Sequence, residues 1–303
     1  MKNSIKGYLA LLITTLIWGG AFVAQTAASD TVPSFAFNAS RSFLATAFLA
    51  VFLFIRSRFP NQIKYDNRRR SVKGGIICGL SLFVATNLQQ FGISAYPEGV
   101  AASGRSGFLT ATYVVMVAVA VLFIRKKVAP IVIISAVLCL TGMYFLSLSG
   151  GIDNIYAADI PLFFCAIAFA VYIMIIDRFA YADPVLMSCI QFAIVTVLSA
   201  VSSVIFENCS LDSLLNAFFP IAFAGIFSSG IAYTLQIIGQ KYIEPSAASI
   251  IMSLESVFAA FFGWIILGER LGAKELFGSS LVFISIILSQ IPTIMNKNKA
   301  VMN

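Results

Sequence analysis

The sequence predicts an all-α integral membrane protein with ten transmembrane helices in two inverted five-helix repeats around a central cavity. Composition, the number of apolar runs and an internal repeat predict this fold class. The chain has 303 residues, a mean hydropathy of +0.93, 59% hydrophobic residues and only 11% charged residues. Soluble domains are about 25% charged, so a soluble globular protein is excluded.

Ten apolar runs are each long enough to cross the hydrocarbon core as a helix, which takes about 20 residues. If the N-terminus is cytoplasmic, 16 of the 20 Lys and Arg residues fall in the termini or in inner connections. By the positive-inside rule we expect a multi-pass protein of the cell membrane with both termini cytoplasmic. The runs cover residues 7–28, 34–55, 74–95, 99–123, 128–148, 158–176, 184–206, 217–239, 246–268 and 272–292.

The net charge of +7 follows the loops, so we expect membrane lipid and no nucleic acid as a partner. On the outer side the basic residues are only Arg270 and Lys274, the latter at the very start of the tenth run. The inner cluster at residues 68–70 is interpreted as a topology determinant, with a lipid headgroup or nucleic-acid site as the alternative.

Helices three and four repeat as helices eight and nine. The residues Ala85, Leu88, Gln89 and Gly92 recur as Ala232, Leu235, Gln236 and Gly239, 147 positions later. We therefore expect two five-helix repeats, residues 1–148 and 149–303, joined by a linker at residues 147–154. Because five is odd, the repeats insert in opposite senses, and such carriers hold substrate at the repeat interface near the midplane.

The sequence gives little support for an enzyme or for a metal site. Histidine is absent, and the five cysteines show no CxxC spacing. We expect no catalytic residue, no metal and no cofactor. An intramembrane protease or lipid transferase is one alternative class of function. A receptor or assembly factor, which would produce no flux, is another.

Three charged residues lie well inside the predicted spans, away from the span ends: Arg41, Arg105 and Glu255. A charge at the bilayer centre costs roughly 3 kcal/mol, so each needs a partner or a function. Helices four and nine are equivalent in the two repeats, and one hypothesis is that Arg105 and Glu255 face and compensate each other. Alternatively, Glu255 bonds to backbone or to Ser253 and Ser256, or the two residues have separate functions.

Arg41 has two interpretations. It can reach the outer interface or bind carbonyl groups of a neighbouring helix. In a cavity, its guanidinium could instead hold a substrate carboxylate through two hydrogen bonds. The candidate substrate-binding or coupling residues are Glu255, Arg105, Arg41, Trp18, Gln89, Tyr113, Tyr233 and Gln236.

Three motifs resemble a known family. The run from Leu254 to Leu271, LESVFAAFFGWIILGERL, resembles the ninth-helix signature of the EamA family in the drug/metabolite transporter superfamily. Trp18-Gly-Gly-Ala-Phe22 resembles its first-helix motif, and the segment from Gly107 to Val115 its fourth. The resemblance implies the ten-helix inverted-repeat fold and secondary transport, often export, of small metabolites.

The chain departs from that family pattern at two places. Ser256 replaces the proline that commonly follows the ninth-helix glutamate. The sequence therefore does not decide whether the ninth helix is kinked at this point. The first repeat ends in Ile124-Arg-Lys-Lys127 where the second has Gly-Glu-Arg-Leu.

We therefore expect a secondary active transporter that exports a small-molecule substrate, such as an amino acid or related compound, by alternating access. The alternative within this fold is a carrier of drugs, toxic compounds or organic cations. No Walker A loop is present to bind ATP, so an ion or substrate gradient must drive transport. The proton is the candidate coupling ion, and Glu255 the candidate proton carrier. The sequence predicts no oligomeric state.

Overall fold

All regular secondary structure in the described part of the chain is helical. The computed structural model describes residues 2–58, 68–97, 100–125, 130–147, 156–268, 273–274, 277–278 and 280–289. The helices are α1 (Lys2–Ser29), α2 (Ser34–Ser57), α3 (Arg68–Ser94), α4 (Ala102–Ala111 and Tyr113–Arg125), α5 (Pro130–Ser147), α6 (Asp159–Arg178), α7 (Pro184–Phe206), a short helix (Leu211–Asn216), α8 (Phe218–Gln240), α9 (Pro245–Met252 and Leu254–Leu267) and α10 (Ser280–Ser289).

Eight of these helices are long and apolar enough to cross a membrane within the described ranges. The apolar parts of α5 and α10, Pro130–Gly142 and Ser280–Ser289, are shorter there. The all-α membrane fold is confirmed, while the count of ten spans stays a prediction. Parts of the predicted organisation lie outside the described residues: linker residues 148–154, the motif residues 269–271 and the loop cations Lys64, Lys126, Lys127, Arg270, Lys297 and Lys299.

The outer surface of the helices carries large apolar side chains that water would not tolerate. Val204 is 86% exposed, Phe219 82% and Phe123 77%. A continuous surface of this kind faces lipid, where helices satisfy their own backbone hydrogen bonds. The protein is therefore a multi-pass membrane protein.

Small residues allow close packing between helices of the two predicted halves. α1 packs against α9, α2 against α7, and α3 against both α6 and α7. At Gly79 in α3 a Cβ atom would lie only 2.7 Å from Ile194 Cβ. A side chain there would push α3 and α7 apart, which is the packing role expected of small residues in membrane helices.

Three helices of the fold are irregular. α4 is interrupted at Thr112, and α9 at Ser253. In α8 the ten residues Phe223–Ala232 form a wide π-helix between ordinary helical segments. Such irregularities in transmembrane helices are tolerated where they line a cavity.

The break in α9 answers the question raised by the missing proline. The Ser256 amide donates to the Ser253 carbonyl at 3.1 Å, and the Ser256 hydroxyl donates to the same oxygen at 2.7 Å. Another hydroxyl, that of Ser253, donates to the Ile250 carbonyl at 2.6 Å. Serine side chains compete with backbone donors in this way and can bend a helix without proline.

Candidate functional site

A buried cavity lies where the three irregular helices meet α1, α2, α3 and α6. Its free space is about 20 Å³, which is room for small molecules such as water. The lining residues are Trp18, Ala21, Phe22, Gln25, Arg41, Gln89, Thr110, Tyr113, Phe169, Ile173, Ser228, Tyr233, Gln236 and Glu255.

Arg41 brings a positive charge into this cavity from α2. The residue is 2% exposed, and its Nη1 donates to Gln25 Oε1 at 3.3 Å. Its guanidinium lies 5.6 Å from the ring centre of Phe37, within range of a cation–π contact. The structure thus places Arg41 in the cavity wall, away from the membrane interface to which it could have extended.

Glu255 brings an acidic side chain from α9. It is 4% exposed and lies in the first turn of the segment Leu254–Leu267, directly after the break. The positive end of the helix dipole favours a carboxylate there. Tyr113, the first residue of the second segment of α4, lies beside Glu255, but their atoms do not reach hydrogen-bonding geometry.

Aromatic rings form another wall of the cavity. The Trp18 and Tyr233 ring centres are 4.8 Å apart with the planes at 57°. Behind Tyr233, the rings of Phe192 and Tyr172 lie at 5.3 and 5.9 Å. Each pair is within the 4.5–7 Å range of favourable aromatic contacts. This cluster holds Tyr233 in place at the end of the π-helix.

Amide side chains complete the polar lining. The Gln89 amide donates to Thr110 Oγ1 at 3.3 Å, which joins α3 to α4. Gln236 in α8 is 1% exposed. Another amide, Gln90, donates to the Gln25 backbone carbonyl at 3.3 Å and fixes α3 against α1 behind the cavity.

Five buried polar atoms of the lining have no hydrogen-bond partner among the described residues. Leaving such an atom unpaired costs about 1–3 kcal/mol, so clustered unpaired donors and acceptors are characteristic of a site that binds water or ligand. The atoms are Trp18 Nε1, Arg41 Nε, the Tyr113 hydroxyl, Gln236 Oε1 and Glu255 Oε1.

The hypothesis that Arg105 pairs with Glu255 is wrong. Arg105 Nε and Nη2 donate to the two carboxylate oxygens of Asp159 at 3.0 and 2.6 Å. Since α4 begins at Ala102 and not at residue 99, Arg105 lies in the first helical turn. From there its long side chain reaches the end of the bundle. The helices themselves do meet as predicted, because Gly107 of α4 packs against Ser256 of α9.

The structure brings the other seven candidate residues to one cavity, and it adds residues that the sequence did not single out. Phe169 and Ile173 of α6 and Ser228 of α8 line the cavity, but nothing separates them from ordinary packing residues in an apolar run. Asp159, the partner of Arg105, could have been found in the sequence more easily than these lining residues. It is an acid at the predicted outer end of the sixth span, near the outer end from which Arg105 starts.

Comparisons with known proteins agree with the fold and the membrane setting. The model of a family described as the EamA-like transporter family matches residues 5–148 and again residues 157–290. An uncharacterized transporter from Archaeoglobus fulgidus is 29% identical over 282 residues, covering 92% of this chain and 84% of that protein. The uncharacterized transporter YoaV from Bacillus subtilis is 25% identical over 293 residues, covering 94% and 97%.

A solved crystal structure has a similar fold. It shares 16% sequence identity with this chain and superposes with a TM-score of 0.76, covering 94% of this chain and 96% of the other. At that identity the likeness concerns the fold alone.

Proposed function

Because the chain belongs to the EamA-like transporter family, we propose that it is a secondary active transporter that exports small dipolar metabolites, such as amino acids and related compounds. The observation that carries this proposal is the central cavity, in which Arg41 and Glu255 are both buried beside an aromatic wall. Substrate binds there, and access alternates between the two sides of the membrane.

The two buried charges support a substrate that carries both signs. Arg41 Nε and Glu255 Oε1 are unpaired, and neither side chain forms an ion pair among the described residues. A buried charge without a counter-charge is costly. A carboxylate on Arg41 and an ammonium group near Glu255 would compensate both at once, as an α-amino acid can.

The size of the cavity supports alternating access. Its free space of about 20 Å³ is far too small for an amino acid. Yet the irregular backbone of α4, α8 and α9 lies at this level, where helix segments can move relative to one another. The observed conformation is therefore a closed one in this proposal, and the cavity opens from it to either side of the membrane.

Glu255 is proposed to couple transport to protons. It is the acid of the cavity lining, and the Tyr113 hydroxyl beside it can bond to the carboxyl group after a small movement. A proton on Glu255 and a substrate ammonium group would compete for the same carboxylate. Because only one of the two can bind at a time, export of substrate alternates with uptake of protons, and the two fluxes are coupled.

One observation favours an organic cation as the alternative substrate. The Trp18 and Tyr233 rings, 4.8 Å apart, together with Glu255 would suit a cationic amine. Arg41 opposes it, because a second positive charge would lie in the same cavity.

Transport by purified protein in liposomes tests the proposal. We expect uptake of labelled amino acids to respond to an imposed pH gradient, whereas in Glu255→Gln the response falls by about tenfold or more. Exchange of internal for external substrate at equal pH separates the two roles of Glu255. Retained exchange means that Glu255 couples, and lost exchange means that it also binds substrate.

The matched control is Asp212→Asn, which removes an exposed acid from the short helix outside the cavity and should leave both activities unchanged. Flux of amines but not of amino acids would replace the main proposal with the alternative. Absence of flux for every compound class would overturn both.

A further inference from the structure

The bond between Arg105 and Asp159 lies outside the cavity and joins the two predicted halves of the chain. Arg105 is in the first turn of α4, and Asp159 is the first residue of α6. Their two parallel hydrogen bonds, 3.0 and 2.6 Å long, form the fork geometry that makes arginine–carboxylate pairs strong and directional.

Neighbouring groups complete the pair. The Tyr96 hydroxyl donates to Asp159 Oδ1 at 2.6 Å, and the Tyr156 backbone amide donates to Asp159 Oδ2 at 3.0 Å. The Arg105 guanidinium lies 4.8 Å from the Tyr156 ring centre and 5.9 Å from that of Tyr96. Partial burial raises the pKa of Tyr96, and its bond to Asp159 adds to this, so its hydroxyl stays protonated and donates. Asp159 thus accepts four hydrogen bonds from three directions.

The pair is largely shielded from solvent. The Arg105 and Asp159 side chains are only 10% and 12% exposed. Breaking a buried pair is costly unless both partners return to water. Such a pair therefore favours two discrete arrangements, one closed and dry and one open and hydrated.

The helices that this pair joins are walls of the cavity. α4 contributes Thr110 and Tyr113, and α6 contributes Phe169 and Ile173. When the first turns of α4 and α6 are held together, the cavity is covered at that end. Under the predicted topology it is the outer end.

A second pair of helices is joined differently. Arg56 at the end of α2 forms a two-pronged ion pair with Asp183, which caps the start of α7. At the opposite end, the Glu207 carboxylate accepts the Phe35 and Ala36 backbone amides at 2.8 and 2.9 Å. Because α2 and α7 are tied at both ends, they form a frame, and we expect the two helices to move as one body.

We propose that the Arg105–Asp159 pair is the latch of the outer gate, which holds the cavity closed on that side and separates when substrate passes. This inference rests on the proposed function, since a gate has meaning only in a carrier. Tyr96 and Tyr156 hold the latch in position, and the frame formed by α2 and α7 does not open.

Site-directed labelling tests the latch without any substrate. Ala21→Cys, on the cavity wall, serves as reporter in a background without the five native cysteines. A membrane-impermeant maleimide is added from one side of oriented vesicles. In Arg105→Gln and Asp159→Asn we expect outer-side labelling to become about tenfold faster, because losing one partner of a buried pair favours the open state. Inner-side labelling should not rise.

Rescue and a matched control distinguish a latch from general loosening. The charge-swapped double variant Arg105→Asp with Asp159→Arg should return the labelling rate toward the native value, and Arg105→Lys should give an intermediate rate. Arg56→Gln breaks the ion pair between α2 and α7 and should leave outer labelling unchanged.

Native labelling rates in the single variants would overturn the latch, as would an equal rise in Arg56→Gln. A single variant that fails to fold is replaced by Arg105→Lys, for which an unchanged rate has the same meaning. Because labelling needs no flux, failure of the latch leaves the transport proposal standing, and a native protein without flux overturns transport whatever the labelling shows.

Discussion

Arg41 and Glu255 share one cavity while each keeps an unpaired polar atom. Two opposite charges at ion-pair distance would neutralise each other and leave the substrate little to bind. Held apart in a poorly hydrated site, each interacts more strongly with a ligand than it would in water. Selectivity then depends on a ligand whose own charges match both positions.

Replacing Arg41 should change which substrates are accepted. In Arg41→Gln we expect the KM for amino acids to rise about 10–100-fold, since a hydrogen bond to a charged group is worth about 1.5–3 kcal/mol. The KM for the corresponding amino amides, which lack the carboxylate, should change little. Initial rates in liposomes over a concentration series measure both. An equal rise for acids and amides would show that Arg41 shapes the cavity without binding the carboxylate.

The sequence predicted most of the candidate site because polar side chains inside membrane spans face the protein interior. Seven of the eight candidate residues line the cavity. Arg105 does not, because a long side chain in a terminal turn reaches the interface as easily as the core. Apolar lining such as Phe169 gave no signal, since an apolar residue within a span serves packing and lining alike.

At the scale of the elements, the cavity coincides with departures from regular helix in α4, α8 and α9. The sequence left the bend in α9 open because the proline is absent, yet the Ser253 and Ser256 hydroxyls produce a break. The π-helix in α8 carries no comparable signature. It depends on tertiary contacts such as that of Gly225, where a Cβ atom would lie 2.8 Å from the Arg41 carbonyl oxygen.

Removing one residue from the π-helix should change how α8 lines the cavity and so abolish transport. A π-helix accommodates extra residues per turn, so deletion of Phe227 would favour ordinary α-helix and narrow the wide turn that faces the cavity. We expect transport to be lost while the thermal unfolding temperature stays close to native. Phe227→Ala, which removes the side chain and keeps the backbone, should transport normally. Native transport by the deletion variant would show that the wide turn has no part in the cycle.

At the scale of the whole molecule, contacts join the loops that the charge pattern assigned to one side. The Arg70 guanidinium and the Lys241 ammonium lie 6.0 and 5.8 Å from the Tyr181 ring centre, bringing together three connections predicted to be inner. Tyr96, Tyr156 and Asp159 join two connections predicted to be outer. Composition and loop charge could predict which connections lie at the same end of the bundle, because both depend on whole spans and loops and not on single side chains.

Labelling of single cysteines on intact cells should establish the orientation. We expect Thr31→Cys and Ser213→Cys to react with an impermeant reagent from outside. Ser57→Cys and Tyr181→Cys should react only after the membrane is opened. The excess of Lys and Arg in the latter connections is the physical reason. The opposite pattern would invert the predicted topology, and a mixed pattern would contradict the alternation of spans on which the two repeats depend.

The packing between the two predicted halves is reciprocal. α1 packs on α8 and α9, while α6 packs on α3 and α4, and α2 meets its counterpart α7. A repeat spacing in the sequence can predict such symmetry. The departures from this symmetry include the choice of acid with which each arginine pairs. They depend on the length of the side chains and on the residues at which the helices begin and end.

The double attachment of α2 to α7 has a practical consequence. Glu207 binds the first amides of α2, so under the proposed transport cycle we expect the exposed surface around Phe206 and Leu211 to keep one shape. An antibody fragment raised against that surface would recognise every state equally and leave turnover intact. It would serve as a fiducial for electron cryomicroscopy of a particle too small to align alone.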